Sequence, residues 1–270
     1  MYPDLRGRTA LVTGSSDGIG AEIALRLSIE EVEVIVHGKN PEKVERICSK
    51  IREASSNKSR VHQFVADATK PEQISRFFET KMPQIGKLDI LVNNIGGIPG
   101  IKTFEKVSDE EWYDTFTLNV MAPVRFTRLA LPYLKRSTQA RIINLGSAAS
   151  MQPGVNNPHY LAAKTGLVNL NKYLSNDLAK YNILVNMICP HTIKGGAWFR
   201  DIRNITNNTG VSLEQAAQQL ENSVKIKVPL NRVGTMEEVA NLVIFLASNS
   251  ASFINGECIF VDGGTKRSIF

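Results

Sequence analysis

The sequence predicts an α/β protein, a doubly wound parallel sheet of about seven strands with helices on both faces. Two observations carry this expectation. Short β-rich runs alternate with helical stretches along most of the 270 residues, and such alternation builds a parallel sheet covered on both faces. A glycine-rich turn then joins the first run to the first helical stretch, which is where an open sheet of this kind meets a ligand.

The strand runs are TALVTG (9–14), VEVIVHG (32–38), RVHQFVA (60–66), LDILVNN (88–94), ARIINLG (140–146), ILVNMIC (183–189) and CIFVDG (258–263). Helical stretches fall between them at 18–29, 41–55, 71–84, 109–136, 158–181 and 235–248. Pro41 and Pro71 stand where a helix begins, the position at which a missing N–H costs least. The stretch 191–230 breaks the rhythm. Asn204, Asn207, Asn208 and Gly210 read as turns, and a helical piece is expected near 212–225. An insertion directly after a strand's carboxyl end reads as a substrate lid on one domain spanning 1–270.

Composition narrows the class. The net charge is +6, but Lys50, Arg52, Lys135, Arg136 and Lys225 are dispersed, so a solvated basic surface is favoured over a nucleic-acid groove. No apolar run reaches the roughly 18 residues of a membrane span. Met1 to Arg8 lack the apolar stretch of a signal peptide. Cys48, Cys189 and Cys258 are odd in number and lack a CxxC, which suits reduced core thiols in a cytoplasmic protein. The four His residues show no metal-ligand spacing.

Thr13-Gly14-Ser15-Ser16-Asp17-Gly18-Ile19-Gly20 follows the first strand and opens the first helix. Gly14 permits the tight turn, Gly18 lets backbone approach a pyrophosphate, and Gly20 allows helix and strand to pack closely. The helix N-terminus then offers unpaired N–H groups to phosphates. This is the signature of a Rossmann-like dinucleotide site.

Tyr160 and Lys164 lie four residues apart on a predicted helix and so share one face. Ser147 precedes Tyr160 by thirteen residues, just past the fifth strand. Reducing a ketone by hydride needs a proton for the developing alkoxide, and oxidising an alcohol needs a base. A phenol with a reference pKa near 10 serves both once a neighbouring ammonium draws it toward the working range. Lys164 is placed to supply that charge, and Ser147 to hydrogen-bond the substrate oxygen. His159 points about 100° around the helix from Tyr160 and reads as structural, or at most substrate-lining.

From Gly7 to Gly264 the chain resembles the classical short-chain dehydrogenases/reductases, in the spacing TGxxxGIG and in Ser147, Tyr160 and Lys164. Pro229 to Thr235, and Phe253 to Gly264, are similar to 3-oxoacyl-carrier-protein reductases and their relatives. The resemblance implies NADP(H) or NAD(H) as coenzyme and adds roles. Asp67 and Ala68 would contact adenine. Asn93, Asn94, Ile95 and Gly96 stand for the family's NNAG, with Ile95 adding volume beside the adenosine ribose. Lys164 would also bind the nicotinamide ribose, and Asn119 would hold a water linking Lys164 to solvent. The backbone at Ile193 would meet the carboxamide. Here the family pattern PG-x-I-x-T departs, with His191 at its Gly and Gly195 at its Thr, and Gly195-Gly196 suggests a hinge.

Coenzyme choice is contested. No acid ends the second strand, where Gly38 is followed by Lys39, and a cation there would pair with a 2′-phosphate. Asp17 stands where several NADP-preferring relatives place Arg. The absent acid and Lys39 favour NADP(H). The function expected is an oxidoreductase interconverting a carbonyl and a secondary alcohol. A 3-oxoacyl-carrier-protein reductase is its specific alternative, and a non-catalytic coenzyme sensor the alternative of another class. The partners expected are a small carbonyl or alcohol substrate, or a carrier-bound acyl chain, with no nucleic acid and no membrane. The lid and the loop 97–107 would form the pocket, and a homotetramer is the implied assembly.

Overall fold

In β1 (Thr9–Val12) neighbouring side chains enter different cores. Ala10 and Val12 face one core while Leu11 faces another. β2 (Glu33–Gly38) repeats this, with Val34 and Val36 on the first side and Ile35 on the second. A period of two with both faces buried requires helices on both sides. The structure, a computed structural model, describes residues 2–55, 60–98 and 100–267.

The remaining strands are β3 (Val61–Val65), β4 (Ile90–Asn93), β5 (Arg141–Leu145), β6 (Leu184–Pro190), the two-residue β7 (Ile193–Lys194) and β8 (Gly234–Thr235), and β9 (Cys258–Val261). Seven of them form one parallel sheet in the order β3-β2-β1-β4-β5-β6-β9, while β7 and β8 pair separately. The order reverses between β1 and β4. A crevice therefore opens at their carboxyl ends, the position at which such sheets bind ligands.

The helices are α1 (Gly18–Ile29), α2 (Pro41–Ala54), α3 (Pro71–Thr80), α4 (Met82–Ile85), α5 (Asp109–Phe116), α6 (Ala122–Leu134), α7 (Pro158–Leu178), α8 (Gly196–Thr209), α9 (Leu213–Lys225) and α10 (Met236–Ala247). α1, α2 and α10 cover one face through residues such as Leu27, Ile51 and Val243. α3 and α6 cover the other through Phe77, Phe78, Phe126 and Leu134, and α7 extends that layer with Leu167 over Met187 and Cys189. Burying a side chain of this size stabilises by about 1.5–3 kcal/mol. Among the described residues no helix is long and apolar enough to cross a membrane.

Two expected helices and one expected set of turns are corrected. The stretch 71–84 divides at Lys81, because Pro83 cannot donate within a continuing helix. The stretch 109–136 is interrupted by a π-helical turn, Thr117–Met121, between α5 and α6. Pro123 has no N–H, so the α-helical bond to the Asn119 carbonyl cannot form. Within 191–230, Asn204, Asn207 and Asn208 are helical rather than turn residues. They belong to α8, which ends at Gly210 in a left-handed cap. Trp198, Ile202 and Ile205 pack α8 against Ala216 and Leu220 of α9, and this burial outweighs the weak helix propensity of asparagine.

Candidate functional site

The glycine turn is anchored from behind. Gly14 and Gly18 adopt φ of +65° and +58°, the left-handed region that glycine enters without strain. The Gly14 N–H donates to His37 Nδ1 at 3.0 Å, and Ser15 exchanges backbone and hydroxyl bonds with His37 and Val12. Ser15 is fully buried, so its side chain shapes the turn and does not face the crevice. Asn94 Nδ2 donates to the carbonyls of Thr13 (2.9 Å) and Gly14 (3.2 Å). A Cβ on Gly20 would collide with that amide and stand 2.6 Å from the Gly14 carbonyl oxygen, so α1 can approach β1 only through glycine. Ile19 packs beside the first core and also lines the crevice. A Cβ on Gly18 would lie 3.4 Å from the Gly196 nitrogen. The N-termini of α1 and α8 therefore converge, and the positive ends of two helices meet at the crevice.

Asp17 caps α1 by accepting from the Gly18 N–H at 2.8 Å and pairs with Lys43 Nζ at 3.0 Å. Burial works against its charge but is outweighed by Lys43 and the Gly18 N–H, so its carboxyl lies below the ordinary range. At the end of β2, Gly38 is buried and Lys39 exposed. Ser16 packs so closely on Gly38 that a Cβ there would stand 2.6 Å from Ser16 Cβ. Ala68 is buried, and Asp67 accepts from the backbone and hydroxyl of Thr69, with Lys39 adding to the depression of its pKa. Ile95 leans over Gly14, 3.0 Å from where a Cβ would be.

The Asn93 side chain packs inside the fold. It is buried in an amide row, donating to Thr127 (3.1 Å) and Asn144 (2.9 Å), and Asn144 donates to Asn171. The neighbouring amide, Asn94, is the one that holds the turn. Two roles here were not expected: Asn94, expected only as part of the NNAG-like run, and His37, which was not singled out at all. For Asn94 the signal was present, since side chains alternate along a strand and adjacent asparagines must diverge.

At the other side of the crevice, Lys164 is buried and its ammonium donates to the Leu145 carbonyl at 2.8 Å. Burial brings its pKa down to about 8. Its Nζ lies 5.8 Å from the centre of the Tyr160 ring. Burial pushes the Tyr160 phenol up, and a hydrogen bond with the Ser147 side chain pulls the other way. Ser147 also caps a short turn, its Oγ accepting from the Ala149 N–H at 3.2 Å. Asn119 spends its side chain on backbone. Nδ2 donates to Gly97 (2.9 Å) and Thr115 (3.0 Å), and Oδ1 accepts from the Gly97 N–H (3.0 Å). Gly96 is wedged in the same corner, where a Cβ would be 2.8 Å from Lys164 Nζ and 2.9 Å from Asn119 Oδ1. His159 is buried with its ring edge against Trp112 at 5.9 Å, which makes it structural.

Ser147, Tyr160 and Lys164 open onto one cavity of about 430 Å³, closed by Ile193, Trp198 and Leu220. Ser147 also borders a second cavity of about 420 Å³ that runs toward Lys266. A larger space of about 550 Å³ lies beyond His191, but none of the three reactive side chains reaches it. Of the loop 97–107, Pro99 lies outside the described residues.

An open parallel sheet with this switch point and this turn places the chain among the Rossmann-like dinucleotide-binding proteins. Within them it belongs to the short-chain dehydrogenase/reductase family, a family of oxidoreductases. The family model described as enoyl-(acyl carrier protein) reductase matches residues 14–266. The chain is 33% identical to the 3-oxoacyl-[acyl-carrier-protein] reductase FabG of Aquifex aeolicus, over 98% of this chain and 99% of that one. It is 32% identical to the NADPH-dependent reductase BacG of Bacillus subtilis, over 97% and 99%. Among solved structures it is similar to the L-sorbose reductase of Gluconobacter frateurii complexed with NADPH and L-sorbose. That match has a TM-score of 0.92 and 29% identity and covers all of both chains.

Proposed function

We propose that this chain is an NADP(H)-preferring oxidoreductase that interconverts a carbonyl and a secondary alcohol, with Tyr160 as general acid and base. The observation that carries the proposal is the meeting of Ser147, Tyr160 and Lys164 at one cavity beside the glycine cradle. Gly14, Ser16, Gly18, Ile19, Gly20, Asp67, Ala68, Ile95, Gly96 and Ile193 are the residues that would hold the dinucleotide. When bound, the nicotinamide supplies the hydride for reduction and takes it up in oxidation.

In reduction the Tyr160 phenol gives its proton to the carbonyl oxygen as the C–O double bond becomes a single bond. Its raised pKa keeps that proton available at neutral pH. Ser147 donates a hydrogen bond to the same oxygen and stabilises the charge that develops there. Lys164 has one N–H committed to Leu145, which leaves two for the ribose hydroxyls and for replacing the tyrosine's proton. A pKa of about 8 leaves it charged at neutral pH. The side chain of Asn119 fixes Gly97, so its part in a water relay falls to the main-chain carbonyl that Pro123 leaves without a helical donor. α8 and α9 would act as the lid, with Gly195-Gly196 as hinge.

The preference for NADP(H) is supported by Lys39, by the missing acid at Gly38, and by Lys43, which offsets the charge of Asp17. BacG and the L-sorbose reductase are also described with NADPH. Absorbance at 340 nm with a panel of ketones and NADPH tests the whole reading. Turnover is expected with wild type and is expected to fall by at least 10²–10⁴-fold in Tyr160→Phe while NADPH binding is kept. A Tyr160→Phe protein that keeps a tenth of the wild-type rate would assign the proton transfer elsewhere.

A further inference from the structure

We infer that the cavity between Ser147 and the carboxyl-terminal tail receives the carboxylate of the substrate, with Lys266 as the cation that binds it, so that the carbonyl compounds taken are oxo acids. The inference rests on the oxidoreductase reading above and adds a substrate class to it.

The cavity of about 420 Å³ starts at Ser147, the proposed donor to the reacting oxygen, and ends at Lys266. Among the described residues, His191 and Lys266 are its only titratable lining groups and no carboxylate side chain lines it. Among the described residues, no acidic side chain comes within ion-pair distance of Lys266. Its ammonium instead stands 4.3 Å from the centre of the Phe260 ring, a contact that places a cation without neutralising it. Asp262 is the acid nearest in sequence. Its two oxygens accept from the Gly264 N–H (2.9 Å) and the Lys266 N–H (2.8 Å), and it lines the neighbouring cavity.

The tail that carries Lys266 is pinned on both sides. Arg267 N–H donates to Gln152 Oε1 at 2.9 Å, across the loop that follows Ser147. Thr265 donates through its N–H and hydroxyl to the Asp262 carbonyl. An ammonium held by folded backbone loses little freedom when it meets an anion. His191, which also lines this cavity, adds a neutral donor, its backbone N–H fixed on the Val261 carbonyl at 3.1 Å. Burial lowers its pKa, with Asp262 opposing and Lys227 adding, so the imidazole brings no second charge at neutral pH. One ammonium and one neutral donor match a singly charged carboxylate better than a doubly charged phosphate.

The test is kcat/KM with NADPH for 2-, 3- and 4-oxo acids, each against its own methyl ester. Wild type is expected to prefer at least one acid over its ester by about tenfold or more. Lys266→Gln should cost that acid about 10- to 100-fold, mostly in KM, and leave the ester within about twofold. Lys266→Arg should restore the preference, and Lys266→Glu should reverse it. Esters that react as well as their acids in wild type would overturn the inference while leaving the oxidoreductase reading in place. So would a Lys266→Gln loss shared equally by acid and ester. Absence of turnover with any carbonyl and either coenzyme would remove that reading, and this inference with it.

Discussion

At Tyr160 the expected influence and the observed one differ. Residue spacing suggested that Lys164 would draw the phenol downward, but burial raises it and only the Ser147 hydrogen bond opposes. The three side chains themselves were legible because four residues make one helical face and a strand end precedes the serine. What surrounds them was not, since burial is a property of the whole fold. His37 makes the same point. Nothing in its local sequence shows that its imidazole, buried between Phe64 and Phe126, accepts from the Gly14 N–H. Burial brings its pKa from the ordinary 6.5 to about 3. Between those values the unfolded chain takes up a proton that the folded chain refuses, so stability falls as pH drops from 6.5 toward 3. The loss should be on the order of a few kcal/mol, which is large beside a net stability of about 5–15 kcal/mol. Urea unfolding of wild type and His37→Leu between pH 4.5 and 7 measures it. The variant should lose stability less steeply on acidification, and equal slopes would show that His37 does not set the acid limit.

At the level of elements, the coenzyme preference proposed above rests on the junction of β1, β2 and α2. Lys43 in the first turn of α2 pairs with Asp17 where it caps α1, while Lys39, just past β2, is exposed and helps to lower the pKa of Asp67. If Lys39 pairs with the 2′-phosphate, Lys39→Ala should weaken NADPH by roughly 10- to 150-fold and NADH far less, as a charge-assisted hydrogen bond of about 1.5–3 kcal/mol requires. Lys43→Ala should also weaken NADPH, by exposing the uncompensated charge of Asp17. Gly38→Asp alone is expected to perturb the turn, because Ser16 occupies the space of the new Cβ; with Ser16→Gly added, it should favour NADH. Fluorescence titration of both coenzymes checks each variant, and an unchanged NADPH/NADH ratio in Lys39→Ala would leave that lysine a solvated charge. The same scale shows what the sequence could disclose about the fold. Strand runs and the proline-led starts of α2 and α3 follow local rules and appear where the pattern put them. α8 does not, because its asparagines are poor helix formers and the packing of Trp198 and Ile202 against α9 and Val233 outweighs that. The π turn at Asn119 was readable from Pro123, four residues on, but that signal is a missing hydrogen bond rather than a residue pattern.

Over the whole molecule, large apolar side chains left on the surface occur along much of the chain, and some of them fall on the long helices. Tyr113 of α5 is 72% exposed and Tyr173 of α7 is 63% exposed, with Phe116 and Met121 nearby in sequence also open. Phe253, before β9, is fully exposed. Single exposed apolar residues need no explanation, but groups of them mark contact surfaces. The family resemblance implies pairing through the helical stretches 109–136 and 158–181 and through the C-terminal strand region, and these residues lie there. Two distinct two-fold contacts on one chain generate a closed D₂ tetramer, because each isologous patch is satisfied by a second copy. Light scattering at micromolar concentration should therefore give four times the chain mass. Tyr173→Asp should weaken the α7 contact and leave dimers joined through the other surface, while Phe253→Asp should weaken the second contact instead. Combining the two should give monomers. A wild-type mass equal to a single chain would overturn the assembly and return these side chains to the ordinary apolar share of a protein surface.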